Sequence, residues 1–153
     1  MQNDAIRARV TAVREMAHAV ASYGRSLNAA LASARADLNR AGAEFQTALA
    51  DSQRKLSAAH RRREMVAAEL GRCRENCEPL RRQLAEAQVA EREAARRHHG
   101  NQRALSRFDH VSAELLCSMR TAEATAEDLV PAGRAHIQEY AEILTDYLRT
   151  GVS

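Results

Sequence analysis

The stretch Gly71-Arg-Cys-Arg-Glu-Asn-Cys-Glu-Pro79 (GRCRENCEP) gathers a glycine, two cysteines and a proline near the middle of a 153-residue chain otherwise written in helix formers. It can be read as a metal knuckle, a redox pair or a bend between two helices. The residues on either side decide among the three.

Stepping by four and three residues from Ile6 gives Val10, Val13, Ala17, Val20, Gly24, Leu27, Leu31, Ala34, Leu38, Ala41 and Phe45. This is an unbroken a/d heptad seam, the pattern of a helix that lays one narrow stripe against another helix. From Phe45 the row continues through Leu49 and Ser52 to Leu56, a stutter of the kind that locally unwinds a supercoil. The heptad then resumes through Ala59, Val66, Leu70, Cys73, Cys77, Leu80, Leu84, Ala87 and Ala94, with Arg63 and Glu91 as polar interruptions. A third run reads Leu105, Phe108, Ser112, Leu115, Met119, Ala122, Ala126 and Leu129, and a last one follows Pro131 through Ile137, Tyr140, Leu144 and Tyr147 or Leu148.

Composition agrees with few, long helices. The chain has 32 Ala and 22 Arg but a single Lys (Lys55), two Phe, three Tyr and no Trp. So few large apolar residues cannot fill a thick core, whereas a stripe needs little more than Ala and Leu. Six Gly and two Pro leave little material for turns, which excludes β-rich architectures.

The expectation is an all-α fold: an elongated antiparallel helical hairpin or coiled coil with a short C-terminal helix after Pro131. As one domain it has a first arm over about 4–70, a turn over about 71–79, a second arm over about 79–129 and the last helix over about 132–149. In the turn, Gly71 ends one helix and Pro79 opens the next, where a missing N–H is tolerated. Positions whose numbers sum to about 150 then face each other. The competing turn is Gly100-Asn101, which follows the basic run Arg96-Arg97-His98-His99.

The cysteines fit the bend. Cys73 and Cys77 are one helical turn apart and both fall on the seam, where a free thiol packs as a small apolar residue. A zinc site would need two more ligands, and Cys117 and the His98-His99 pair stand at no recognised spacing. Three cysteines, an odd number, point to free thiols rather than a disulfide framework. His18, His60, His110 and His136 read as solvent-facing helix residues, and replacing His98 with Ala is expected to do little. No phosphate-cradling loop, nucleophile elbow or helix-borne HExxH occurs, so no enzyme, metal or cofactor is expected.

The net charge of +3 hides an uneven distribution: residues 54–97 carry twelve basic against seven acidic groups, and residues 98–153 carry five against eight. Arg61, Arg62, Arg63, Arg81, Arg82, Arg96 and Arg97 are the candidate polyanion contacts. Three consecutive arginines splay over roughly 200° of a helix, however, and no aromatic residue stands among them to stack on a base.

These features predict a non-enzymatic coiled-coil scaffold or adaptor that acts through helix packing and self-association as a homo-oligomer. Its interaction seam is Leu31, Leu38, Phe45, Leu56, Val66, Leu70, Leu80, Leu84, Leu105, Phe108 and Leu115. The alternative is a coiled coil that binds nucleic acid or an anionic surface through the Arg-rich tip. The layout resembles the stalk proteins of flagellar and type III export apparatus and the small helical hairpins of type VII secretion, although without Trp there is no WxG turn. That resemblance implies a secretion-associated role. The N-terminus has no apolar core of a secretory signal and no run approaches a membrane span, which predicts cytoplasmic residence. A leaderless export route would leave no trace in these residues.

Overall fold

The computed structural model describes residues 2–150, with side chains from Asp4 onward. The described residues are helical except for 73–77, and none forms a strand. The elements are α1 (Gln2–Arg72, 71 residues), α2 (Glu78–Ala124, 47 residues), a π-helical segment (Thr125–Leu129) and α3 (Val130–Thr150, 21 residues). By its contacts the chain divides into two compact units, Asp37–Ala113 and the pair of segments Met1–Ala36 and Glu114–Ser153.

The Asp37–Ala113 unit contains the end of α1, the turn and most of α2. The Cys73 amide closes α1 by donating to Glu69 and Leu70 carbonyls, and the Arg81 amide donates to Cys77 O at the start of α2. Pro79 is the second residue of α2, where its missing N–H breaks no helical bond. The reversal uses Asn76, at φ 51°, rather than Gly71, which stays within α1. Asn is one of the few side-chain-bearing residues that visits the left-handed region at low cost. Gly100-Asn101, the competing turn, lies inside α2.

The two helical segments of this unit lie side by side and run in opposite directions. The Phe45 and Phe108 rings pack with centroids 5.0 Å apart, Ser52 meets His98, and His60 meets Glu91, so residue numbers fall on one helix as they rise on the other. Beside the ring pair, a Cβ on Gly42 would sit 3.2 Å from Phe108 Cε1, so the small residue makes room for the aromatic one.

The second unit pairs the start of α1 with the end of α2 and with α3, again in opposite directions. Arg35 bonds Glu123 at 2.6 Å, and the backbone at Gly24 approaches Val130 so closely that a Cβ there would lie 2.7 Å from Cγ1. Val13 and Ala17 line one groove with Ile137 and Ala141.

The C-terminal helix expected after Pro131 is α3, but Pro131 opens it without a break in the helical backbone. The proline is the second residue of α3. A proline inside a helix lacks an N–H and crowds the carbonyl four residues earlier. The wide π turn that ends at Leu129 relieves that crowding by inserting an extra residue. The insertion also shifts the face turned inward. After the π segment the covered positions are Val130, Gly133, Ile137, Ala141, Leu144 and Leu148, whereas Leu129, Tyr140 and Tyr147 are exposed.

Among the described residues no large side chain is fully buried. Full burial of a Leu or Val stabilises by about 1.5–3 kcal/mol. Most seam residues here obtain only part of that, so the pairing depends on many small steps rather than on a few anchors.

Candidate interaction surfaces

Burial locates each seam residue. Leu31 and Val66 are buried, while Leu38, Phe45, Leu56, Leu70, Leu80, Leu84, Leu105 and Phe108 are half-buried. Leu115 is the exception: it is 44% exposed, and its neighbour Leu116 takes the inward position. The inward row steps from Ser112 to Leu116 by four residues, as a helix with 3.6 residues per turn must at intervals when its heptad is not enforced.

Polar residues also occupy the seam, and His98 corrects the sequence reading. It is 7% exposed, and its Nδ1 lies 3.1 Å from Oγ of Ser52, itself 6% exposed. Ser52 Oγ lies 2.8 Å from Leu49 O. Donation of the hydroxyl proton to that carbonyl leaves Oγ free to accept Nδ1–H, which satisfies both buried groups. The signal in the sequence was the heptad itself, which runs on from Glu91 and Ala94 through His98 and Asn101 to Leu105 without a break.

Two turns nearer the tip, Glu91 gathers His60 and Arg63. Its Oε1 lies 2.6 Å from His60 Nδ1 and its Oε2 lies 2.7 Å from Arg63 Nε, which lacks the alignment of a hydrogen bond. His60 Nε2 also lies 3.1 Å from Glu64. His60 is therefore exposed but engaged across the helix pair. Nearby on the outer surface, Lys55 bonds Asp51 at 2.7 Å and so holds that carboxyl below its ordinary range.

The candidate polyanion contacts do not form one patch. Arg63 turns in toward Glu91, Arg81 and Arg82 both reach back toward Glu78 at 3.8 and 3.9 Å, and Arg61, Arg62, Arg96 and Arg97 are exposed. The sequence reading missed a different grouping. Arg92, Arg96, His99, Arg103 and Arg107 recur at helical spacing along the outer face of α2, and all are exposed. Shallow surface depressions are lined by Arg96, His99 and Arg103 and by Arg103 and Arg107. None of these three arginines pairs with a carboxylate among the described residues.

Cys73 and Cys77 are joined in a disulfide, which corrects the expectation of free thiols at the turn. Their Cα atoms stand 5.9 Å apart, within the usual span of such a bridge. Cys117 is free and exposed. Among the described residues no three His, Cys, Asp or Glu side chains cluster as a metal site, and no helix is long and apolar enough to cross a membrane.

No family model matches this chain, and neither does any curated protein or solved structure.

Proposed function

We propose that the chain is a non-enzymatic interaction protein, a coiled-coil hairpin that serves as scaffold or adaptor by helix-on-helix packing. The observation that supports this is the inward row of α1 and α2, apolar along most of its length yet nowhere closed over a large side chain. A surface of this kind gains most by adding further helices, and the charges beside it set register and choice of partner. The resemblance to export-apparatus stalk proteins suggests a setting. Affinity capture from an extract of the source cell, washed at about 0.15 M and about 1 M salt, tests the reading, because screening at the higher salt removes most exposed charge attraction. A protein recovered in both washes and lost with Leu84→Asp supports it. Recovery indifferent to Leu84→Asp would sink it.

A second reading, contact with a polyanion, is favoured by the row of Arg96, Arg103 and Arg107 on α2. Neutralising phosphates releases counterions, so such binding must weaken steeply with salt. Binding of duplex DNA that persists after Arg96→Glu and Arg103→Glu would remove the ridge from consideration.

A further inference from the structure

In the unit formed by Met1–Ala36 and Glu114–Ser153, the large apolar side chains left exposed are not scattered. Met16 and Tyr23 on α1, Leu129 in the π segment, and Tyr140, Ile143 and Tyr147 on α3 are each between 52% and 65% exposed. Each stands one residue before a covered position: Ala17, Gly24, Val130, Ala141, Leu144 and Leu148.

That constant offset has a geometric consequence. One residue back along an α-helix is a rotation of about 100°. The two helices run in opposite directions, so the same backward step turns both second stripes toward the same side of the pair. The forward step turns toward the other side, which carries Arg14, His18, Arg25, Arg134 and Gln138. The unit therefore has one apolar face and one polar, mostly basic face.

We propose that the apolar face is where a second copy of this chain docks, to complete a four-helix arrangement. The proposal deepens the helix-packing reading above and rests on it. Two features of the face select a second copy. It is self-complementary in size, because the α1 stripe carries Ala12, Ala19 and Ala30 between its larger residues while the other stripe carries tyrosines, Leu129 and Ile143. It is also large enough. Two helical segments of about 35 residues span roughly 50 Å by about 18 Å, near the 800 Å² per partner of a stable interface.

Side-chain size chooses the symmetry. A two-fold axis parallel to the helices lays the alanine-bearing stripe of α1 on the partner's tyrosine-bearing α3, antiparallel, with Met16 near the level of the partner's Tyr140. An axis across the helices lays alanines on alanines and tyrosines on tyrosines.

Sedimentation equilibrium of the full chain, oxidised at the turn, tests the proposal. The wild-type chain should be dimeric well below about 100 µM, and Tyr140→Glu or Ile143→Glu should weaken the dimer by about 30-fold or more. Helicity should be unchanged, since both positions are exposed, and Gln138→Glu on the polar face should have no effect. Should the charged variants lose helicity, cross-linking decides in their place. Chains carrying Cys117→Ser with either Met16→Cys or Tyr140→Cys are mixed; the mixed pair should link in preference to either like pair. A monomeric wild-type chain, a dimer indifferent to Ile143→Glu, or links between Met16→Cys copies overturns the proposal. The companion variant Leu31→Asp separates the two readings. If it melts a monomeric protein, only the second copy is overturned; if it leaves helicity intact, the helix-packing reading falls too.

Discussion

Ser52 Oγ and His98 Nδ1 meet 3.1 Å apart across the pairing of α1 and α2 in the Asp37–Ala113 unit, and both residues are buried. A hydroxyl and an imidazole thus occupy positions where a coiled-coil seam ordinarily places Leu or Val. Loss of the Ser52 hydroxyl strands the buried His98 Nδ1, whereas loss of the imidazole empties a covered site and leaves Ser52 Oγ with Leu49 O as its one partner.

His98→Ala should therefore lower stability by about 1–2 kcal/mol in urea unfolding, as removing one member of a buried hydrogen-bonded pair does. Ser52→Ala should cost a similar amount, and the double variant less than the sum of the two. His99→Ala, on the exposed side, serves as the control. Equal stability of the His98 and His99 variants would refute the pairing.

Two glycines should respond in opposite directions to a larger side chain. Gly24→Leu drives atoms into Val130 Cγ1, which already stands 2.7 Å from the place of a Cβ, and should cost about 1–3 kcal/mol. Val130→Ala should recover part of that loss. Gly100 has open space around its Cβ position, and Gly100→Ala should stabilise the helix by about 0.5–1 kcal/mol. Thermal midpoints of the three variants check the order.

Thiol titration in denaturant distinguishes the bridged turn from a reduced one. With Cys73 and Cys77 joined, one thiol of the three cysteines, Cys117, reacts before reduction, and all three react afterward. Closing so short a loop removes little entropy from the unfolded chain, so Cys73→Ser/Cys77→Ser should keep its helicity and lose about 2 kcal/mol or less. Three reactive thiols in protein purified without reductant would contradict the bridge.

The Asp51 carboxyl titrates below its ordinary range because the Lys55 ammonium bonds it one turn away. A carboxyl with a lowered folded-state pKa adds its small stabilisation above the unfolded-state value, and that increment disappears as pH falls through the folded-state value. Carbon-detected NMR of Lys55→Met should show the Asp51 midpoint move up toward the ordinary carboxylate value. An unmoved midpoint would assign the shift to another cause.

Much of this architecture is written locally. The heptad row from Ile6 to Leu70 is also the covered row of α1, because a helix turns 100° per residue whatever it packs against, and this is the stripe that stays mainly apolar from end to end. Asn76 and Pro79 sit where the chain leaves one helix and enters the next, each for a backbone reason that acts within a few residues.

What the sequence alone left undecided depends on the second helix. Whether Leu115 or Leu116 faces inward, and Tyr140 or Ala141, depends on how rotational phase accumulates along α2 and on the residue inserted before Pro131. A proline in a string of letters reads as a stop. Here the chain keeps its helix through Pro131, widens the turn before it and packs Val130 against Gly24. The burial of His98 and the gathering of His60 and Arg63 on Glu91 likewise need a facing helix, since a side chain's exposure and its partners are set by atoms distant in sequence.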